Sequence, residues 1–179
     1  MALGLSSPDL DQLTGLPTRR RCYSVLERQL QSGAAGAAVL CDVDDLGGFN
    51  FASGYVVADR ALQAVAGSLR SVLAGRAGRN DVNFDGVFRM GGDEFLILLC
   101  GSDGGAAVAL AEEARSEVKR ATAELVGRSL KSSPLTLRFA VAAWAEGSAP
   151  RVEALLVALD NALDDAGPDV VVLVGQDER

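Results

Sequence analysis

Two apolar runs, Val87–Met90 and Glu94–Cys100, are separated only by Gly91-Gly92-Asp93. Three residues cannot hold a helix or a crossover, so the runs are confined to adjacent antiparallel strands, a β-hairpin with a glycine turn. The paired glycines permit positive φ at the turn and leave room for a ligand beside it. A lone hairpin is marginal in water and needs further strands or helices to bury its apolar face. The nearest candidate is Ala37–Val43, a continuous apolar run ending in acids, as a buried strand does.

Helical spacing fills much of the remainder. Asp11–Gln31 predicts a turn and then a helix after Pro17, with Leu13, Leu16, Tyr23, Leu26 and Leu30 near one side. Val56–Leu73 carries Val57, Ala61, Leu62, Val65, Leu69 and Leu73 at helical period. Ala106–Val126 and Val152–Asp164 predict helices, Leu135–Ala143 and Val170–Val174 strands, and Asp44–Asn50 a loop. Strands alternating with helices imply an α/β sandwich, its sheet covered by helices, with one hairpin inserted.

The length of 179 residues suits one domain. Its expected extent is 11–175, with 1–10 and 176–179 as tails. Seventeen Lys and Arg against 24 Asp and Glu give a net charge of −7. That balance argues against a nucleic-acid surface, which depends on cations facing phosphates. No stretch approaches the ~20 apolar residues that span a bilayer. The N-terminus lacks a secretory signal pattern. The three cysteines, Cys22, Cys41 and Cys100, are odd in number and fit buried free thiols in a reducing compartment, so the expected location is cytoplasmic.

The chemistry-bearing residues form three groups. Asp42-Val43-Asp44 ends a buried strand, Gly91-Gly92-Asp93-Glu94 makes the hairpin turn, and Asn50 and Asp59 flank a loop-to-helix junction. Carboxylates at a strand end and an adjacent turn suit Mg²⁺, which takes oxygen ligands and keeps sites for water or phosphate. Singly, each group has an ordinary explanation: a solvated strand end, or a turn that is only a turn.

Taken together and in order they carry more. Arg89-Met-Gly-Gly-Asp-Glu-Phe95 contains the full GGDEF signature. Upstream, Asp11-Gln-Leu-Thr-Gly-Leu-Pro17 looks like a DxLTGLxNR opening, with Thr18 for Asn and Arg19 retained. Asp42-Val-Asp-Asp-Leu-Gly-Gly-Phe-Asn50 resembles DxDxFKxxN, and Gly54, Asp59 and Leu62 match GHxxGDxxL. The chain thus resembles the GGDEF family of diguanylate cyclases, which join two GTP molecules into cyclic di-GMP. The resemblance runs from about Asp11 to Val174.

It implies a nucleotidyl-cyclase or palm-like α/β sandwich, with a mainly antiparallel central sheet flanked by helices and GGDEF on a β-hairpin. It implies Mg²⁺ or Mn²⁺ on Asp42, Asp93 and the carbonyl of Val43. Asn50 and Asp59 would read the guanine edge, and Leu46, Gly47, Gly91 and Gly92 would line the substrate. Asp93 and Glu94 would serve catalysis, Glu94 either activating the attacking 3′-hydroxyl or supporting the metal site. Each domain would hold one GTP, so catalysis would need a homodimer, with a sensory or regulatory protein as a further partner.

The sequence also departs from the family pattern. Leu46-Gly47 replaces Phe-Lys, Phe51 the Asp after Asn50, Tyr55 the His after Gly54, and Ala58 the Gly before Asp59. TxSxGxA is here Thr136-Leu-Arg-Phe-Ala-Val-Ala142. No Lys or Arg occurs between Val152 and Glu178, where the family pattern has two. Arg60 and Arg138 are conceivable substitutes, with a solvated surface role as the plainer expectation. The family's inhibitory RxxD aligns with Val82-Asn-Phe-Asp85, which lacks the Arg. Two readings follow: a cyclase, or a degenerate GGDEF domain that binds GTP weakly or not at all and acts through protein contacts.

Overall fold

The computed structural model describes residues 9–76, 86–126 and 133–175. Its elements run α1 (Arg19–Gln31), β1 (Gly36–Val43), α2 (Leu46–Ser53), α3 (Tyr55–Gly75), β2 (Gly86–Arg89), β3 (Glu94–Cys100), α4 (Gly104–Val126), β4 (Leu137–Trp144), α5 (Val152–Asp164) and β5 (Val171–Leu173). The five strands make one sheet in the order β2-β3-β1-β4-β5. All neighbours pair antiparallel except β4 and β5, whose parallel pairing needs the crossover that α5 supplies. The architecture is the expected one, a mainly antiparallel sheet between helices.

Strand β1 lies at the centre and is buried on both faces, which explains its unbroken apolar run. Val39, Cys41 and Val43 face one core with Val65 and Leu69 of α3 and Leu110 of α4. Ala38 and Leu40 face the other, with Leu26 of α1 and Leu159 of α5. The even-numbered face continues past Leu40 to Asp42, so the alternation that builds the core also carries a carboxylate to the strand end under α1 and α5.

One expectation is corrected. Asp44–Asn50 is not simply a loop: Leu46–Ser53 forms helix α2. Its sequence, with two glycines, has little intrinsic helicity. The turn is held by the Asp45 carboxylate, which accepts from the Gly48 amide at 3.0 Å, and by Phe49, which is buried in the α3 core.

No helix among the described residues is long and apolar enough to cross a membrane. No cysteine is in a disulfide; Cys22 and Cys41 are buried and Cys100 is partly exposed. Burial pushes the Cys22 thiol up to about 12 and the Cys41 thiol higher still. Iodoacetamide at mildly alkaline pH is therefore expected to modify Cys100 in the native protein and Cys22 and Cys41 only after denaturation, as mass spectrometry of the peptides would show.

Candidate functional site

The hairpin turn is fastened to the N-terminal motif. Arg89 donates to the carbonyls of Gly91 (3.1 Å) and Gly92 (2.6 Å) and to Asp11 Oδ1 (2.8 Å). The same Asp11 oxygen accepts from the Thr14 amide (2.8 Å) and hydroxyl (2.6 Å), and the Arg89 amide donates to the Pro17 carbonyl. Asp11 thus closes its own turn and anchors the arginine that shapes the next one. Neither Gly91 nor Gly92 lies in the left-handed region, which corrects the expected reason for them. A Cβ at Gly91 would sit 2.8 Å from Glu94 Oε2, the movable end of a side chain, so a substitution there would push the Glu94 carboxylate aside. Gly92 meets nothing within 4 Å.

Burial works against the Asp11 carboxylate, but the hydrogen bonds from Thr14 and Arg89 outweigh it and hold the group below its ordinary 3.8. A folded-state pKa below the unfolded one means the stabilisation is complete above the unfolded value and is lost as pH falls through the folded value. Asp11→Asn should cost about 1–2 kcal/mol at neutral pH, discounted because the carboxylate is a quarter exposed, and clearly less near pH 3. Urea midpoints of wild type and variant at the two pH values measure the difference.

The centre of the site is a row across three strands. Register pairs Asp42 of β1 with Glu94 of β3 on one side and with Arg138 of β4 on the other. Directly paired residues share a sheet face, so all three side chains lie beneath α1 and α5. Arg138 donates from Nε (3.1 Å) and Nη2 (2.9 Å) to the same oxygen, Asp42 Oδ1. The row opens on a cavity of about 340 Å³ whose lining includes Arg19, Tyr23 and Asp160. Burial first, then the anionic neighbours Asp93 and Asp44, pushes the Asp42 carboxyl above its ordinary value even with Arg138 donating to it. Burial, Asp42, Asp160 and Asp93 do the same to Glu94.

Asp93 comes next to this row through the backbone, since its carbonyl accepts from the Val43 amide at 3.2 Å. Among the described residues no three Asp, Glu, Cys or His side chains stand together as a ready-made metal site. The donor set nevertheless fits a hard divalent cation. It consists of the Asp42 and Glu94 carboxylates, the first already paired with Arg138 through one oxygen and both facing the negative charge of Asp93, next to a main-chain carbonyl at Val43.

The third group lies across α2 and α3. Asp45 adopts φ 46° and caps α2 through Gly48, where a Cβ would meet the Asp45 carboxylate at 2.3 Å. The Leu46 and Gly47 amides have no acceptor among the described residues and open at the helix N-terminus, where partial positive charge accumulates. Asn50 is half-buried on α2 and Asp59 exposed on α3; Gly54, at φ 83°, separates the two helices. Asp44 points elsewhere, its Oδ2 accepting from Thr136 Oγ1 (2.7 Å) and the Asp169 amide (2.9 Å). Phe51, Tyr55 and Val56 form an exposed apolar patch at the α2–α3 junction.

Arg138 is no solvated surface residue, because its guanidinium is engaged by Asp42; Arg60 is exposed as expected. The sequence carried a signal for the first, an arginine interrupting an apolar strand, but its partner lies 96 positions away. Arg89 was equally open to notice, as a cation two residues before the paired glycines. Val82 and Asp85 lie outside the described residues.

Residues 9–169 match the family profile "Diguanylate cyclase, GGDEF domain". The structure is similar to the diguanylate cyclase SiaD of Pseudomonas aeruginosa, solved in complex with its activator SiaC. The TM-score is 0.74 at 29% identity, covering 92% of this chain and 61% of that one. It is also similar to the GGDEF domain of DgcB from Caulobacter crescentus in complex with c-di-GMP, with TM-score 0.78 over 95% of this chain and 98% of that one. At 22% identity that likeness concerns the fold alone. In sequence, the diguanylate cyclase DgcP of P. aeruginosa is 31% identical over 93 residues, 50% of this chain and 13% of its own length. An uncharacterized protein of Mycobacterium tuberculosis is 32% identical over 114 residues, 62% of this chain and 17% of its own. The chain therefore spans less than a fifth of the length of these two relatives.

Proposed function

The chain belongs to the GGDEF domain family of diguanylate cyclases, and from that premise we propose that it condenses two GTP molecules into cyclic di-GMP, as a homodimer that releases pyrophosphate. The observation that carries the proposal is the meeting of Asp42 and Glu94 in one row, with the Asp93 carbonyl bonded to Val43 beside it. This brings the hairpin and the strand end together at one open cavity.

In this reading Asp42, Asp93 and the Val43 carbonyl hold Mg²⁺ or Mn²⁺. The bound cation would neutralise phosphate charge and ease the departure of pyrophosphate. The open amides of Leu46 and Gly47 suit phosphate oxygens, in place of the missing lysine. Gly91 and Gly92 keep the turn free of side chains on the substrate side. Asn50 and Asp59 offer an amide and a carboxylate to the guanine O6, N1 and N2 edge, a set that leaves adenine mispaired. Glu94, with its pKa raised, accepts or holds a proton near the attacking 3′-hydroxyl. Each site positions one nucleotide, so two domains face each other and each 3′-oxygen displaces pyrophosphate from the other's α-phosphate.

Two observations favour the alternative, a degenerate domain acting through protein contacts. Asp42 is already paired with a cation, and Phe51, Tyr55 and Val56 expose apolar surface beside Asn50. The deciding experiment incubates the purified protein with GTP and Mg²⁺ or Mn²⁺ and measures cyclic di-GMP by chromatography. Product formation that Glu94→Gln removes supports the cyclase. No product at any protein concentration, with GTP intact, overturns it.

A further inference from the structure

The α1/α5 face of the sheet is built in rows. Ala38 stands between Leu98 and Ala142, Leu40 between Leu96 and Ala140, and Asp42 between Glu94 and Arg138. Two apolar rows thus end in a charged one. Without Arg138 the last row would set Asp42 against Glu94 with no cation on the strand beside it. A half-buried carboxylate in that setting is costly unless it is paired.

The pairing has a definite shape. Both guanidinium bonds end on Asp42 Oδ1, while Oδ2 accepts no hydrogen bond from the described residues and is not sealed from solvent. One oxygen is therefore held and the other left unpaired, and Asp42 itself lines the cavity together with Glu94, Arg138 and Arg19. Arg138 is itself only 31% exposed, so its charge is not fully screened by water.

We propose that Arg138 is a positioning residue for the metal site, an internal cation that holds Asp42 through Oδ1 and whose charge lowers the affinity of that site for a divalent cation. The inference rests on the reading of Asp42 as a metal ligand. A fixed positive charge next to an incoming dication opposes binding, and the Arg138–Asp42 bonds must loosen or share the carboxylate when the cation arrives. The pair consequently sets the metal concentration at which the site loads. It replaces the missing counter-charge when metal is scarce.

The test is a Mn²⁺ titration, without nucleotide, of the whole chain by calorimetry or water-proton relaxation. The variants are Arg138→Ser, Arg138→Gln, Arg138→Lys and Asp42→Asn. Removing the charge should tighten Mn²⁺ about tenfold in both neutral variants, the glutamine one guarding against a packing defect in the serine one. Lysine, which keeps the charge and loses the double hydrogen bond, should stay near wild type. The neutral variants should also melt earlier than wild type without metal and gain more in Tm when Mn²⁺ is added. Equal or weaker binding in the neutral variants, with Asp42→Asn still abolishing it, overturns the role of Arg138 and leaves the site reading intact. Unchanged binding in Asp42→Asn overturns the site reading itself, and the inference with it.

Discussion

Phe95→Ala is expected to lower stability by about 3–5 kcal/mol, the range for emptying a fully buried aromatic site. Phe95 closes the GGDEF string, yet it takes no part in the chemistry proposed for that string. It is wholly buried on β3, paired with Cys41 of β1 and Arg89 of β2, in the core that α3 and α4 complete. The loss compares with the roughly 5–15 kcal/mol that holds a typical domain together. Urea unfolding should show a large fall in midpoint with a similar slope, since the exposed surface of the unfolded chain barely changes. Phe95→Leu, which keeps most of the volume, should cost less than about 1.5 kcal/mol. A midpoint unmoved by alanine would show that the hairpin is not fixed by its core side.

The spacing of apolar residues made β1, the hairpin and both long helices legible, because each depends on a local period. Helix α5 begins and ends at the residues its spacing predicts, Val152 and Asp164. Helix α2 was hidden because its stability is not in its own composition. A cap at Asp45 and one buried phenylalanine hold eight residues, LGGFNFAS, that propensity alone would leave irregular. Gly91 was expected to supply positive φ, whereas in the fold it has none and its nearest neighbour is the movable Glu94 Oε2. The Asp42–Arg138 and Asp11–Arg89 pairs were out of reach for another cause. Each joins residues far apart in the chain, and only the folded sheet brings them together. Motif resemblance supplied candidate ligands without saying which of them already had a partner.

Any nucleotide binding is expected to depend steeply on metal. GTP brings roughly four negative charges to a chain already at −7, and the proposed metal ligand Asp42 borders a cavity lined also by Glu94, Asp160 and Asp164. Among the described residues the cations lining that cavity are Arg19 and Arg138, the first hydrogen-bonded to Tyr23 and the second to Asp42. Chelation should therefore abolish GTP binding, and Asp42→Ala or Asp93→Ala should weaken it by about 100-fold or more, close to 3 kcal/mol. Gly47→Lys works in the opposite direction. Position 47 is exposed, and a Cβ added there would meet nothing within 4 Å, so a lysine fits without rearrangement next to the open amides of α2. Its exposed charge should tighten GTP about three- to tenfold, less than a buried contact would, and the gain should shrink at high salt. Calorimetric GTP titrations with Mg²⁺ and with chelator, on wild type and these variants, measure all three effects. Equal affinity under chelation would shift the phosphates onto Arg19 and Arg138, and the acidic row would then be a barrier to substrate instead of its anchor.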